Sequence, residues 1–426
     1  MTHFTKPFWT LPALWLLLMV LLVAGCSEPP SSPAPRAAGP DASLIQQEPT
    51  LRVRVAEAVG RAVLGGDGLR IGGADGSSGR TFPAPVTVQR DGGRFLIKDG
   101  RGRTVASPAE VMQVRSPRGT VQLDGRAYPQ SLSLVASDAH RFDVINHVGL
   151  ETYLPGVLSK ELYGSWDEQA YAAQAIAARS YALFQRARQQ GRHYDVAGTV
   201  ADQVYGGSAS SQKARDAVQR TRGQVLTDHG RVIPAFFSSA CGGRAQDAGA
   251  IFAHYGESVQ ADPLNSGRTG NWCQISPHAQ WGPVLRDTDA LTKRLARWGR
   301  INEHDVARLR ELRAVKVAGR SRSGRPTRFV LTGASGQQWA MGAEDFRFAC
   351  NQPHPELPEL TKGRQLKSSQ VNVRVMGNLT RFTGGRGFGH GVGLCQWGAQ
   401  GMALRGHDAM TILGTFYPGA GVRRLY

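Results

Sequence analysis

The chain has 426 residues and a formal net charge of +18, with 52 glycines, 23 prolines and five cysteines. The length suits one large domain or two ordinary ones, and the positive charge favours an anionic partner such as a phospholipid surface or an acidic wall polymer. The sequence has no zinc-finger spacing, RNA-binding aromatic signature or basic helix with heptads, which argues against a nucleic-acid partner.

The first 25 residues have the pattern of a secretory signal peptide. Lys6 is their only charged side chain, and the apolar run Leu11–Val23 is shorter than the roughly 20 residues that a membrane span needs. The small residues before Cys26 match the lipobox of bacterial lipoproteins, so we expect Cys26 to be lipidated. Ser27 follows in place of aspartate, which favours the outer membrane in a host with two membranes.

Residues 26–50 are rich in proline and poor in large apolar side chains, which predicts a tether between the lipid and a folded domain. Residues 51–146 alternate between apolar and polar positions and contain glycine turns at short intervals, which predicts an antiparallel β-rich region. Residues 147–426 then predict a mixed core of helices and strands. The predicted fold class is therefore α+β, closed by a glycine-rich C-terminal segment.

Several elements of that core are predicted individually. Ser165 and Glu168 match a capping box ahead of an alanine-rich helix of more than twenty residues, and Pro155 is expected to begin or kink the helix before it. Strands are predicted to return over residues 325–342. The remaining predictions are helices over Ser211–Arg222, Thr288–Trp298 and Glu303–Leu312, and a hairpin that turns at Asp228-His229-Gly230.

Glu161 occupies an unexpected position in the helical pattern. Leu154, Val157, Leu158 and Glu161 are spaced i, i+3, i+4 and i+7, so the carboxyl group stands where an apolar side chain is expected. Burial beside apolar neighbours raises the pKa of a carboxyl group, as a general acid near neutral pH requires. The competing interpretation is a helix-edge glutamate that reaches water beside Lys160.

Other polar side chains near glycines are candidates for binding a hydroxyl-rich ligand. Gln203 and Tyr205 lie in an extended stretch, and Ser238 and Ser239 follow an apolar strand. Ordinary turn chemistry, with Asp202 capping a loop, explains them equally well. No GxSxG motif surrounds the serines, which argues against a serine hydrolase.

Four cysteines remain once Cys26 is assigned to the lipid. An even number in an exported protein predicts two disulfides, and proximity in sequence favours Cys241 with Cys273 and Cys350 with Cys395, although three pairings are possible. The alternative is a zinc site that uses Cys241, Cys273 and His278. Because the sequence contains no CxxC pair, no metal site is predicted.

Several motifs resemble, in the same order, those of the stage II sporulation protein D family, also called SpoIID/LytB. They are LETYLPGVLSKEL followed by AAQAIAARSYAL, then ADQVYGG, FSSACGG, GRGFGHGVGLCQWGAQGMA and FYPGAGV. The resemblance covers nearly all of residues 51–426 and is strongest over residues 144–244 and 382–421. The family contains peptidoglycan lytic transglycosylases and proteins described as enhancers of cell-wall amidases.

This resemblance implies that Glu161 is the single catalytic acid, although Glu161-Leu162-Tyr163 replaces the Glu-Met-Pro that the family often has. The enzymes cleave the bond between N-acetylmuramic acid and N-acetylglucosamine, in glycans without stem peptides, and leave 1,6-anhydro ends without a metal or organic cofactor. The glycine-rich segment would line the glycan groove, with His390 and Gln396 binding the sugars and Trp397 packing. The alternative is a non-catalytic glycan-binding protein that recruits or stimulates an N-acetylmuramoyl-L-alanine amidase.

Overall fold

The structure, a computed structural model of the chain, describes residues 39–74, 79–199, 202–209, 211–252 and 272–426. The predicted signal peptide, Cys26 and the first part of the predicted tether lie outside these ranges. All described residues belong to one compact unit. None of the described helices is long and apolar enough to cross a membrane. Helices and strands are mixed, which confirms the α+β class.

The predicted β-rich region forms one large sheet. Its strands are β1 (Thr50–Val59), β2 (Arg61–Gly65), β3 (Leu69–Gly73), β4 (Arg80–Phe82), β5 (Val86–Asp91), β6 (Arg94–Lys98), β7 (Thr104–Ser107), β8 (Val111–Leu123), β9 (Arg126–Ala136), β10 (Phe142–Gly149) and β11 (Val196–Ala197). They follow the order β11-β1-β10-β9-β8-β2-β5-β6-β7, with β3 paired to β4 and β8. Every pair is antiparallel except β1 with β11, so the predicted antiparallel pattern is confirmed.

Residues 39–49, which the sequence assigns to the tether, pack on this unit. Ala42 is buried at the start of a short 3-10 helix, Asp41 forms a β-bridge with Arg231, and the Glu48 carboxylate accepts a hydrogen bond from the Glu151 amide. A segment of short polar and small residues buries little surface by itself. Here it is held by contacts with residues far along the chain, such as Glu151 and Arg231. The ordered fold therefore begins before residue 51.

Helix α1 (Leu150–Glu161) follows β10 directly, and α2 (Glu168–Arg188) and α3 (Gln212–Arg220) come next. Pro155 lies inside α1 and does not begin it. The predicted capping box is wrong: Asp167 caps α2, because its side chain accepts the Gln169 amide at 2.8 Å. The predicted helix over Ser211–Arg222 is confirmed as α3, and Ser211 caps it, since its hydroxyl accepts the Ala214 amide.

Helix α2 lies between two hydrophobic clusters. One consists of the large sheet with α1 and α3, and the other of the C-terminal elements, and alanines of α2 contribute to both. The small alanine side chain lets neighbouring elements approach closely from opposite faces, so residues 170–185 are all buried. Arg179 lies among them with no solvent exposure and forms a two-pronged ion pair with Glu151, at 2.7 and 2.9 Å.

The predicted hairpin is confirmed. Strands β12 (Gln224–Asp228) and β13 (Arg231–Val232) are joined by His229 and Gly230, both with positive φ, as a two-residue turn requires. The chain continues through β14 (Phe237–Ser238) and the short helix α4 (Ala248–Ile251).

A third hydrophobic cluster is built from the region between the FSSACGG motif and the glycine-rich segment. Its elements are β16 (Val284–Asp287), α5 (Thr288–Ile301), β17 (Leu312–Arg320), β18 (Pro326–Gly333), β19 (Gln338–Gly342), α6 (Ala343–Asn351), β20 (Asn372–Met376) and β21 (Leu379–Thr383), preceded by β15 (Gln280–Trp281). The predicted helix over residues 303–312 is wrong, because only a 3-10 turn forms at Asp305–Arg308 before Leu312 enters β17.

The chain then returns to the second cluster. The last elements are β22 (Gly385–Arg386), β23 (Leu394–Cys395), α7 (Gln396–Ala403), α8 (Ala409–Phe416) and β24 (Gly421–Arg424). Strand β23 pairs in parallel with β14, and β24 pairs with β12. The glycine-rich segment is thereby joined to the FSSACGG motif, and α7 starts beside the end of α1.

Candidate active site

Glu161 is the last residue of α1, and the residue is partly exposed. Oε2 accepts a hydrogen bond of 2.9 Å from Gln396 Nε2, and Oε1 accepts a longer one of 3.4 Å from the Val204 amide. Burial raises the pKa of Glu161, while the hydrogen bonds from Gln396 and Val204 lower it, and burial dominates. The carboxyl group expected from the helical pattern therefore does lie at an apolar site with a raised pKa.

The position of Glu161 at the end of its helix also raises the pKa of its carboxyl group. The C-terminus of a helix carries a partial negative charge from its unpaired carbonyl groups. A carboxylate in the last turn of α1 is therefore destabilised relative to the neutral acid. The location at the helix end also brings the side chain to the protein surface.

Gln396 reaches Glu161 because of the pairing of two short strands. Strand β23 aligns with β14 through Leu394 with Phe237 and Cys395 with Ser238. Gln396 follows as the first residue of α7 and is buried. Of the side chains predicted to bind substrate, Gln396 is the one with a direct hydrogen bond to the candidate acid.

An aromatic cluster lies beside Glu161. The Trp166 and Trp397 rings are 4.8 Å apart, and the Tyr163 ring is 5.5 Å from Trp166 and 5.7 Å from Trp397. Tyr163 is 57% exposed although Trp166 is buried, so the cluster presents an aromatic surface two residues beyond the acid. Tyr163 and Trp166 were not predicted as site residues from the sequence. The signal for Tyr163 was the departure from Glu-Met-Pro, which places a tyrosine at this position.

The side chains of Gln203 and Tyr205 lie inside the protein. Gln203 is fully buried, accepting from the Tyr153 hydroxyl at 3.0 Å and donating to the Ala178 carbonyl at 3.1 Å. Tyr205 is buried, and its hydroxyl donates to the Asn146 side chain at 3.0 Å. Both hydrogen-bond inside the protein, so they hold the loop that carries Val204. Gln203 and Tyr205 thus have a positioning role, and their contact with substrate stays a prediction.

Three other predicted binding residues are buried or form hydrogen bonds within the protein. They are Ser238, Ser239 and His390. Ser238 is buried, and its hydroxyl has no partner among the described residues. The backbone carbonyl of Ser239 accepts a hydrogen bond from the Trp397 amide. His390 Nδ1 accepts the Val392 amide at 3.0 Å, and burial lowers the pKa of His390 to about 4, so the ring is neutral. These residues shape the segment that carries Gln396.

The glycines of the C-terminal segment have neighbours within the protein. Gly387, Gly389, Gly391 and Gly393 all have positive φ, a conformation that other residues adopt at a cost. A Cβ at Gly393 would clash with the Phe236 carbonyl oxygen. We expected these glycines to let the backbone approach the sugars. Their observed use is close packing inside the protein: Gly387 and Gly389 lie against the FSSACGG motif, and Gly391 lies against the Arg325 guanidinium.

The structure does not contain the predicted disulfides. No bond joins the four described cysteines, all of which are buried. The Sγ atoms of Cys241 and Cys273 are 3.6 Å apart, and Cys395 lies with them. Cys350 lies in the third hydrophobic cluster, while Cys395 lies in the second, which removes the basis for pairing those two. The His278 ring contacts Phe388, with ring centroids 5.1 Å apart.

A separate cleft of about 540 Å³ lies on another side of α1. Glu48, Glu151, Arg215 and Arg222 contribute to its lining, and Glu161 does not. Its two carboxylates are already paired, Glu48 with Arg222 at 2.7 Å and Glu151 with Arg179. The surface around Glu161 is therefore the better candidate for chemistry.

Comparison with known proteins identifies the family. The sequence profile described as "Stage II sporulation protein" matches residues 138–227, which contain Glu161 and Val204. An uncharacterized protein of Brachyspira hyodysenteriae is 30% identical over 283 residues, covering 66% of this chain and 68% of that protein. The chain belongs to the stage II sporulation protein D family.

Two further members of the stage II sporulation protein D family are similar to this chain. The amidase enhancer of Bacillus subtilis is 25% identical over 361 residues, covering 77% of this chain and 50% of that protein. Stage II sporulation protein D of Bacillus subtilis is 25% identical over 295 residues, covering 65% of this chain and 74% of that protein. Membership of the family supports a function connected with the cell wall.

Proposed function

We propose that this protein is a peptidoglycan lytic transglycosylase in which Glu161 is the catalytic acid and base. The observation that carries the proposal is the carboxyl group at the exposed end of α1, with its pKa raised by burial and one oxygen held by Gln396. A general acid needs a proton at working pH and a fixed direction of transfer; the raised pKa favours the first and the Gln396 hydrogen bond favours the second.

In the first step, Glu161 donates its proton to the glycosidic oxygen between N-acetylmuramic acid and N-acetylglucosamine. Gln396 donates to Oε2, so the proton belongs on Oε1, whose contact with the Val204 amide is long. The glycosidic bond breaks as its electrons pass to the leaving oxygen, and an oxocarbenium-like centre develops at C1 of the muramic residue.

In the second step, the ionised Glu161 takes the proton of the muramic C6 hydroxyl, and that oxygen bonds to C1 to form the 1,6-anhydro ring. The Gln396 amide stabilises the carboxylate between the two steps. No water is consumed, so the scheme needs neither a second carboxylate nor a metal or organic cofactor in the reaction.

The aromatic cluster supports a saccharide substrate. Tyr163 offers an exposed ring next to Trp166 and Trp397, and apolar sugar faces pack on such rings. A glycan strand that has lost its stem peptides also exposes lactyl carboxylates, which suit a chain with 51 lysines and arginines against 33 aspartates and glutamates. We therefore propose glycan without stem peptides as the substrate.

A second candidate function is stimulation of a cell-wall amidase without glycan cleavage. The similarity to the amidase enhancer of Bacillus subtilis favours it. The two functions are separated by incubating the protein alone with purified peptidoglycan, with and without stem peptides. Release of 1,6-anhydro-muramic ends, lighter than hydrolysis products by one water, identifies the transglycosylase.

We also propose that the mature protein is anchored by a lipid on Cys26 and faces the periplasm, at the outer membrane of a host that has one. The lipobox before Cys26 and the following Ser27 support this location. Cys26→Ala is expected to leave the protein either uncleaved or in the soluble fraction. A normally cleaved Cys26→Ala protein that stays in the membrane fraction would contradict the anchor.

A further inference from the structure

Three cysteines from three separate parts of the chain converge behind the candidate active site. Cys241 belongs to the FSSACGG motif, Cys273 to a 3-10 turn at Trp272–Ile275, and Cys395 immediately precedes α7. Their relative exposures are 4%, 1% and 1%, and all three sulfur atoms lie within 4.8 Å of one another. We propose that these three thiols form a binding site for a thiophilic metal ion, for which Zn²⁺ is the probe.

The spacing of the sulfur atoms fits a metal centre better than a disulfide. Zinc–thiolate bonds of about 2.3 Å in tetrahedral geometry place sulfurs roughly 3.8 Å apart. The Cys241 and Cys273 sulfurs are 3.6 Å apart, and Cys395 completes the group within 4.8 Å. A disulfide would need about 2.05 Å and would use two of the three cysteines, leaving one buried thiol unexplained.

Backbone amides point at the sulfur atoms, as suits thiolates. Cys395 Sγ accepts hydrogen bonds from the Cys241 amide at 3.2 Å and the Gly398 amide at 3.3 Å. The amides of Gly242 and Gly243 donate to Cys273. The two glycines of FSSACGG thus supply donors to a neighbouring sulfur, and Gly398 belongs to the first turn of α7, where amides have no intrahelical partner.

The positive charge of the nearby Arg325 guanidinium also favours a negatively charged metal–thiolate centre. Arg325 is fully buried, and its guanidinium donates to the carbonyl oxygens of Cys241 at 2.9 Å and Arg244 at 3.1 Å, which are uncharged acceptors. The neighbouring carboxylate of Glu344 is paired with Arg347 at 2.7 Å. One positive charge is left in this interior. Zn²⁺ with three thiolates carries one negative charge, once the three thiols have released their protons to solvent.

Cys350 is an internal reference for an ordinary buried cysteine. It has no exposure, lies in the third hydrophobic cluster and does not belong to the group of three. Cys350 therefore offers a matched control for substitution of a buried cysteine.

The metal would hold Cys395 and hence the start of α7, where Gln396 contacts Glu161. The metal would stabilise this junction whether or not Glu161 cleaves glycan.

The test uses the full-length protein, reduced and freed of metal by a chelator, and titrated with Zn²⁺ or with Co²⁺ as a spectroscopic probe. We expect one ion per chain by elemental mass spectrometry and an intense near-ultraviolet thiolate-to-cobalt band. Cys395→Ala should weaken binding by more than the roughly 10–100-fold that loss of an outer partner costs, while Cys350→Ala should bind as the wild type does.

The wild-type titration alone decides the proposal if a variant fails to fold. A reduced wild-type protein that takes up no stoichiometric Zn²⁺ and shows no thiolate-to-cobalt band would overturn it. So would a folded Cys395→Ala protein with unchanged affinity. Isolation of the wild type with a Cys241–Cys273 disulfide that binds no metal after reduction would assign the pair to a covalent cross-link instead.

Discussion

Gln396 Nε2 donates a 2.9 Å hydrogen bond to Glu161 Oε2, joining residues 235 positions apart in the sequence. The bond stabilises the carboxylate form and so lowers the pKa of Glu161, against the larger effect of burial, which raises it. The Gln396 amide therefore limits how far burial can raise the pKa of Glu161.

Replacement of Gln396 should change the pH dependence of glycan cleavage. Gln396→Met keeps the side-chain length but removes the donor, so the pKa of Glu161 should rise further. Because a general acid is lost as the pH passes above its pKa, the alkaline limb of kcat/KM should move to higher pH. Gln338→Met, an exposed change on β19, is the matched control and should leave the profile unchanged. An unmoved limb in Gln396→Met would show that this bond does not tune the acid.

Tyr163 should contribute to substrate binding more than to the chemical step. Loss of an aromatic contact costs about 1 kcal/mol, which is roughly fivefold in affinity. Tyr163→Ala is therefore expected to raise KM about fivefold with little change in kcat, whereas Tyr163→Phe should stay near the wild type. Phe348→Ala, at a 47% exposed aromatic in α6, is the control. A fall in kcat at constant KM would place Tyr163 in the chemistry instead.

The helix that carries Glu161 could be predicted from sequence because its signal is local. Apolar spacing located the buried face of α1 and the misplaced carboxyl group, and turn residues located the hairpin at His229 and Gly230. The capping of α2 could not be decided in this way. Ser165 and Asp167 are both good caps, and Asp167 is held because its amide donates to Gln400, more than 230 residues away.

The surroundings of the predicted substrate-binding residues could not be derived from the sequence, for a related reason. Polar residues of the types that bind ligands stand at Gln203, Ser238 and His390. Their burial depends on strand pairs that the sequence does not reveal, such as β14 with β23. Tyr163 was missed because an exposed aromatic has no periodic signature. Likewise, proximity in sequence could not show that Cys395, and not Cys350, belongs with Cys241.

Packing of the glycine-rich segment should be sensitive at Gly393. Its φ is +68°, and a Cβ would clash with the Phe236 carbonyl, so Gly393→Ala should lower the free energy of unfolding by at least about 2 kcal/mol. Gly414 has open space around it in α8, and Gly414→Ala should raise stability by about 0.5–1 kcal/mol. Urea denaturation of both variants measures these values. Equal effects would mean that the close backbone approach at Gly393 is not what holds this segment.

The central claim is that Glu161 itself cleaves glycan. Glu161→Gln keeps the size and the hydrogen-bonding shape but removes the titratable proton. It should fold at least as stably as the wild type at neutral pH, because burial disfavours the charged carboxylate that it replaces. Loss of activity in this variant would then be chemical and not structural.

The decisive measurement is the yield of 1,6-anhydro-muramic ends, by mass spectrometry, from purified peptidoglycan with and without stem peptides. The wild type should release them, with a preference for stripped glycan. Glu161→Gln should release about 10²–10⁴-fold less while still binding the glycan. Equal yields from the two proteins would remove Glu161 from the mechanism, and binding without cleavage by the wild type on either substrate would contradict the enzyme and favour the amidase enhancer.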